Sequence, residues 1–226
     1  MSAKAVLAAI TIGQAPRTDI TADILPLLSA GMELREYGAL DDYSYEEIMA
    51  RFAPAEGDEV LVSRMRDGRQ AMFAERFVTP LVQEKIDQAE TEGADAIILF
   101  CTGVFPKFRH RVLLLEPQEL FHSVVQKLAD GRKIGLLVPT ANQVEQAYHY
   151  WGESGVDIEV THASPYGAFE DVRKAAGFFR GKDLAFVCTD CMGYSVAMKR
   201  AIEKESGLRV MLPRTLVVRI LDELFS

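Results

Sequence analysis

Short apolar runs alternate with amphipathic stretches along the whole chain, and the period of each run predicts its element. KAVLAAITI (residues 4–12) reads as a strand, GMELREYGAL (31–40) continues the alternation, and SYEEIMARF (44–52) reads as a helix. EVLVSRMRDGRQAMF (59–73) reads as a hairpin turning at Asp67-Gly68. A helix over about residues 74–92 leads into the apolar run ADAIILFCTG (94–103). The order then repeats: a helix near 118–128, a strand in RKIGLLVP (132–139), a helix after Thr140, and a strand in VDIEVTHA (156–163). A helix near 169–179 follows, then a strand within LAFVCTDCMGYS (184–195) and a helix over 194–204. LRVMLP (208–213) supplies a last short strand and TLVVRILDEL (215–224) a terminal helix.

Strand–helix alternation of this kind implies an α/β fold, because parallel strands need crossovers and the crossover helices cover both sheet faces. The two halves echo each other: TIGQAPR (11–17) is matched by LVPTANQ (137–143), and LFCTG (99–103) by TDCMG (189–193). These matches predict two pseudo-symmetric lobes, each a mostly parallel sheet flanked by helices. Residues 1–115 form the first and 116–211 the second, with the helix of 212–226 completing the first. No low-complexity linker separates them.

The candidate chemistry sits where two apolar runs end. Cys101 and Cys191 each close a strand, each has a glycine two positions on, and each precedes a loop or helix start. In open α/β sheets that carboxyl edge is where ligands bind. A free cysteine is commonly a small buried apolar side chain. Backbone N–H groups at a strand-to-helix turn, however, favour an anion, either a thiolate or a ligand carboxylate. Thr102-Gly103 and Met192-Gly193 are the corresponding candidates for holding a carboxylate. The loop after the first strand adds Gly13, Gln14 and Arg17, with Pro16 suited to a helix start. Arg17 reads either as a bidentate grip on a carboxylate or as a solvated turn residue. Thr140, Asn142 and Gln143 hold the matching place in the second half, as ligand contacts or as capping residues. Cys188 forms a C-x-x-C with Cys191 but lies inside the apolar run, which makes it structural.

Composition narrows the partners. A net charge of −8 argues against nucleic acid and against an anionic membrane surface. The N-terminal run reads directly into a strand, without the longer apolar region and cleavage site of a secretory signal. Three cysteines at buried strand ends fit a reducing compartment, so a cytoplasmic protein is expected. The chain lacks G-x-G-x-x-G, G-x-x-x-x-G-K-[ST] and H-E-x-x-H, so no dinucleotide, nucleotide or metal is expected. Gly193-Tyr194-Ser195 approaches a nucleophile elbow, but Ala197 replaces its last glycine and Ser195 is expected inside the following helix. The four histidines are scattered singly and read as surface or packing residues.

Together TIGQAPR, GALD (38–41), VLVSRMRDG (60–68), LLEP (114–117), VP-x-x-x-Q (138–143) and DCMGY (190–194) resemble the AroM family over nearly the full length. That family in turn resembles the aspartate/glutamate and hydantoin racemase superfamily, whose two lobes each bring a cysteine to opposite faces of a substrate. The resemblance implies that Cys101 with Thr102 corresponds to the first cysteine turn and Cys191 to the second. GQAPR replaces the superfamily's glycine-rich acidic first loop, so its amino-acid contacts do not carry over.

The expected function is therefore a cofactor-independent racemase or isomerase acting beside the carboxylate of a small carboxylic or amino acid. One thiolate removes a proton while the opposed thiol donates one. A decarboxylase or cis–trans isomerase uses the same scaffold. The competing reading is a catalytically silent ligand-binding or regulatory protein of the same fold. Substrate and oligomeric state are not legible in the chain.

Overall fold

The computed structural model describes residues 4–226. In chain order the first half contains β1 (Ala5–Thr11), α1 (Thr18–Ile24), β2 (Met32–Gly38), α2 (Tyr45–Arg51), β3 (Val60–Arg64), β4 (Gln70–Ala74), α3 (Glu75–Thr91), β5 (Ala96–Leu99) and β6 (Leu113–Leu115). The second contains α4 (Pro117–Ala129), β7 (Ile134–Val138), α5 (Gln143–Glu153), β8 (Ile158–His162), α6 (Phe169–Ala176), β9 (Val187–Thr189), α7 (Val196–Ser206), β10 (Val210–Met211) and α8 (Pro213–Phe225). The chain divides into two compact units, one running to Gln118 and taking in Val217–Ser226, the other spanning Glu119–Leu216. The divisions fall inside α4 and α8.

The first unit is built on a four-stranded sheet in the order β2-β1-β5-β6, parallel throughout. Its inner strand β5, AIIL, is buried at every position, as a strand covered on both faces must be. Ile10, Ile97, Leu99, Val78, Val82 and Ile86 form the core between sheet and α3. The antiparallel pair β3–β4 stands apart as a second sheet. Gly68 lies in its turn at φ 91°, a conformation open mainly to glycine. α2 starts at a capping box, Ser44 accepting the Glu47 N–H while the Glu47 carboxylate takes the Ser44 N–H.

The second unit repeats the plan with the order β10-β9-β7-β8, again parallel. β7, IGLLV, is buried throughout. Its Gly135 is required by packing, since a Cβ there would lie 2.8 Å from the Phe179 ring that crosses the strand. Trp151, Phe121, Val125 and Leu136 fill one face of the sheet, and Phe179, Val172, Val187 and Ile202 the other.

The structure departs from the sequence reading in a few places. β6 lies in what reads as loop, because a three-residue strand is too short to show a period. Pro16 does not open a helix: Arg17 is the N-cap of α1, and the Ala15–Pro16 bond before it is cis. Ser195 is not inside α7 but is its N-cap, extended at φ −84° and ψ 165°, with its hydroxyl accepting the Met198 N–H at 3.2 Å. No helix among the described residues is long and apolar enough to cross a membrane.

Candidate functional site

The same turn follows β5 in one unit and β9 in the other. Phe100 N–H reaches Ile10 O on β1 at 2.7 Å, and Asp190 N–H reaches Leu137 O on β7 at 2.9 Å, so each chain stays registered with its central strand one residue past the ladder. The chain then bends at the cysteine. Cys101 Sγ accepts the Gly103 N–H at 3.2 Å, and Cys191 Sγ accepts the Gly193 N–H at 3.3 Å. The two sulfurs therefore share one backbone environment, each accepting a glycine N–H two residues on. Cys101 is half-buried with Thr102 and Gly103, whereas Cys191, Met192 and Gly193 are buried.

What surrounds each turn differs. A Cβ on Gly103 would lie 2.7 Å from Leu61 and 3.4 Å from the Phe105 ring, so the first turn presses against carbon. A Cβ on Gly193 would lie 2.5 Å from the Tyr166 hydroxyl and 2.7 Å from Pro165. Tyr166 Oη stands 3.6 Å from Cys191 Sγ. The residue before the cysteine is Phe100 in one unit and Asp190 in the other.

Behind Cys191 lies a polar cluster that sequence reasoning missed. Trp151, fully buried, donates its indole N–H to Asp190 Oδ2 at 2.9 Å. The His122 ring stacks on Trp151 at 3.7 Å between centroids. Asp190 Oδ1, Thr189 Oγ1 and His122 Nε2 are buried without a hydrogen-bond partner. Arg214, fully buried at the start of α8, donates from Nε to Met192 O at 2.7 Å and so fixes the middle of the cysteine turn. A signal for it exists in the chain: Pro213-Arg214 repeats the Pro16-Arg17 pair of the first loop. Cys188 is fully buried in β9, where burial pushes its thiol well above the ordinary value, the state of an inert structural cysteine.

Burial lowers the His122 imidazole from its ordinary value of 6.5, with the Asp190 charge pulling the other way. The fold therefore holds His122 neutral at a pH where the unfolded chain takes up a proton, and stability falls as pH drops through about 6.5. Urea unfolding, followed through the fluorescence of the single tryptophan, is expected to lose midpoint between about pH 7.5 and 5.5. His122→Gln is expected to lose less over the same interval. An equal loss in both proteins would assign the pH dependence elsewhere.

The first loop is placed differently from its reading. Gln14 donates to Leu40 O at 3.2 Å and Tyr43 O at 2.7 Å and accepts the Arg66 N–H at 2.9 Å, so its amide is used inside the first unit. Arg17 is not a solvated turn residue, being only 2% exposed. Its Nε and Nη2 bind Asp19 at 2.9 and 2.8 Å, and Nη1 binds Thr11 and Ser63. A guanidinium out of water needs a carboxylate within reach, and Asp19 supplies the matching fork two residues on. Gly13 packs under β3, where a Cβ would be 2.5 Å from Ser63 Oγ. Asp41 completes the tether by accepting the Ala15 and Gly38 N–H groups. In the second unit Thr140 O takes the Gln143 N–H at 3.1 Å, and exposed Asn142 precedes α5 without a side-chain cap. No group of three or more His, Cys, Asp or Glu among the described residues is placed to hold a metal ion.

Solved structures share this architecture. Allantoin racemase from Klebsiella pneumoniae aligns with a TM-score of 0.65 at 15% identity, over 98% of this chain and 87% of that one. Picrophilus torridus aspartate racemase gives 0.63 at 15% identity, over 97% and 94%. Nocardia farcinica maleate cis-trans isomerase gives 0.66 at 12% identity, over 97% and 92%. At these identities the likeness establishes a racemase/isomerase-like fold. No curated protein matches the chain by sequence. The AroM protein family matches residues 7–225, almost the whole sequence, and the chain belongs to that family.

Proposed function

We propose that this protein is a cofactor-independent enzyme of the racemase/isomerase type, in which Cys101 and Cys191 act on a small carboxylate-bearing molecule. The observation that supports this reading is the matched pair of turns, each directing a glycine N–H at a cysteine sulfur. In the first step a thiolate takes the proton from the carbon beside the carboxylate. The C–H bond breaks, S–H forms, and the electron pair spreads into the carboxylate. In the second step the other cysteine, as thiol, protonates the opposite face of that carbon. The two sulfurs start in opposite protonation states and titrate as a pair. Backbone N–H groups around Thr102 and Met192, beside the two that reach the sulfurs, hold the carboxylate, with Thr140, Asn142 and Gln143 lining the approach and Gly13 packing the first loop under β3. Gln14 and Arg17 contribute by fixing the first loop.

The test begins with thermal denaturation against a panel of small carboxylic and amino acids. A ligand present at about 100 times its Kd adds about 2.7 kcal/mol, a rise of about 5–11 °C for a chain of this size. The acids that stabilise are then incubated in heavy water. Deuterium at the carbon beside the carboxylate, or isomerised or decarboxylated product, is the expected outcome. A stabilising acid recovered unlabelled and unchanged refutes the enzyme and leaves a ligand-binding protein.

A further inference from the structure

The two cysteine turns share a backbone but not a neighbourhood. The hydroxyl near Cys191 belongs to a loop, Ser164-Pro165-Tyr166-Gly167, that the proposed reaction has not used. We propose that Tyr166 is a further catalytic residue, whose phenol donates a hydrogen bond to the Cys191 thiolate and so selects Cys191 as the sulfur that begins the reaction as base. This rests on the reading of Cys191 as a reacting sulfur.

Several observations place the phenol by construction. Its Oη lies 3.6 Å from Cys191 Sγ, within hydrogen-bond reach of sulfur. The loop that carries it is anchored at its start, where Ala163 N–H bonds Val138 O on β7 at 3.0 Å, and is folded on itself by Tyr166 N–H bonding Ser164 Oγ at 3.1 Å. Tyr194 clamps the same loop by donating to Ala163 O at 2.6 Å. Tyr194 is fully buried, and burial pushes its phenol well above its usual value, so it stays a protonated donor to that carbonyl.

Gly193 shows that the fold makes room for this contact. Its φ is not in the left-handed region, so the backbone does not demand glycine there. A Cβ would nevertheless stand 2.5 Å from Tyr166 Oη and 2.6 Å from Cζ. Glycine at 193 thus does two things: its N–H reaches the sulfur, and its missing side chain admits the phenol beside it.

Chemically, a thiolate accepts the phenol O–H far more strongly than a neutral thiol sulfur does, so the contact favours the ionised sulfur. No atom is transferred in the resting state. When Cys191 takes the substrate proton, S–H forms and the phenol remains a phenol.

The experiment needs no substrate. Iodoacetamide alkylation of Cys191 and Cys101 is followed by peptide mass spectrometry from about pH 5 to 10 in the full-length protein and in Tyr166→Phe, which loses one oxygen. The alkylation midpoint of Cys191 is expected to rise by about one pH unit in the variant, the low end for a hydrogen bond to a charged group, while the Cys101 midpoint stays in place. An unchanged Cys191 midpoint overturns the proposal, and so does an equal shift of both cysteines. Turnover of an acid found in the screen, with an unmoved Cys191 midpoint, defeats Tyr166 alone. A moved midpoint with no turnover of any stabilising acid defeats the reaction and leaves the Tyr166 contact standing.

Discussion

Cys101→Ser and Cys191→Ser are each expected to lower turnover of the substrate by about 10²–10⁴-fold, the range that a positioned proton donor or acceptor contributes. A serine hydroxyl fits both turns and accepts the same glycine N–H, so the fold survives and the loss is chemical. A hydroxyl releases and takes up its proton far outside the neutral range, and the pair then lacks one member. If the reaction is a two-sided racemisation, each variant retains one sulfur. It is expected to exchange the proton of one enantiomer with heavy water while interconverting neither. Cys188→Ser is the control: that sulfur is buried in β9 and takes no part, so turnover remains while stability declines. A Cys191→Ser enzyme with wild-type turnover would remove the two-sulfur mechanism, and a dead Cys188→Ser enzyme that is still folded would show that Cys188, not taken to react, is part of the chemistry.

Trp151→Ala is expected to destabilise the protein by about 3–5 kcal/mol, the cost of deleting a large aromatic from a core. Its denaturation temperature would fall by about 6–20 °C. Trp151 is the largest fully buried side chain, with Phe121 at its edge and His122 on its face. Trp151→Phe separates the terms, since it keeps most of the apolar bulk but removes the indole N–H from Asp190 Oδ2. It leaves a half-buried carboxylate whose Oδ2 has lost the indole while the buried Oδ1 has no partner. The expected loss is about 1–3 kcal/mol. Asp190 adjoins Cys191 in the chain, so Trp151→Phe is also expected to change the Cys191 alkylation rate, whereas a core substitution of similar cost around Ile97 in the first unit is not. Calorimetry of the variants settles the magnitudes, and a Trp151→Phe protein as stable as wild type would show that Asp190 gains nothing from the indole.

How much of the site was legible follows from how local each feature is. The cysteine turns could be read because their ingredients lie within a few residues: an apolar run, a cysteine and a glycine. The structure adds that the two glycines donate to their sulfurs at 3.2 and 3.3 Å. Arg17 was visible as a chemical group but not as a bonded one. Whether it faces solvent, a ligand or Asp19 depends on how far the loop folds back over Thr11 and Ser63, and Ser63 is brought there by a separate hairpin. Tyr166 had no readable sign of function, standing 25 positions from Cys191, and Arg214, 22 positions from the Met192 carbonyl it binds, was marked only by a Pro-Arg pair that repeats the one in the first loop.

By itself the sequence determined the α/β class, nearly every strand and helix, and the positions of the two cysteines at strand ends. Hydrophobic period and chain punctuation are properties of neighbouring residues, and local stereochemistry turns them into elements. Only the tertiary structure decided which groups meet: the sheet orders, the short β6, Gln14 and Arg17 engaged inside their own unit, and Trp151 with His122 behind Asp190. Those contacts join residues far apart in the chain. They are selected by packing and by the need to pair each polar group taken out of water, which no pattern of neighbours encodes.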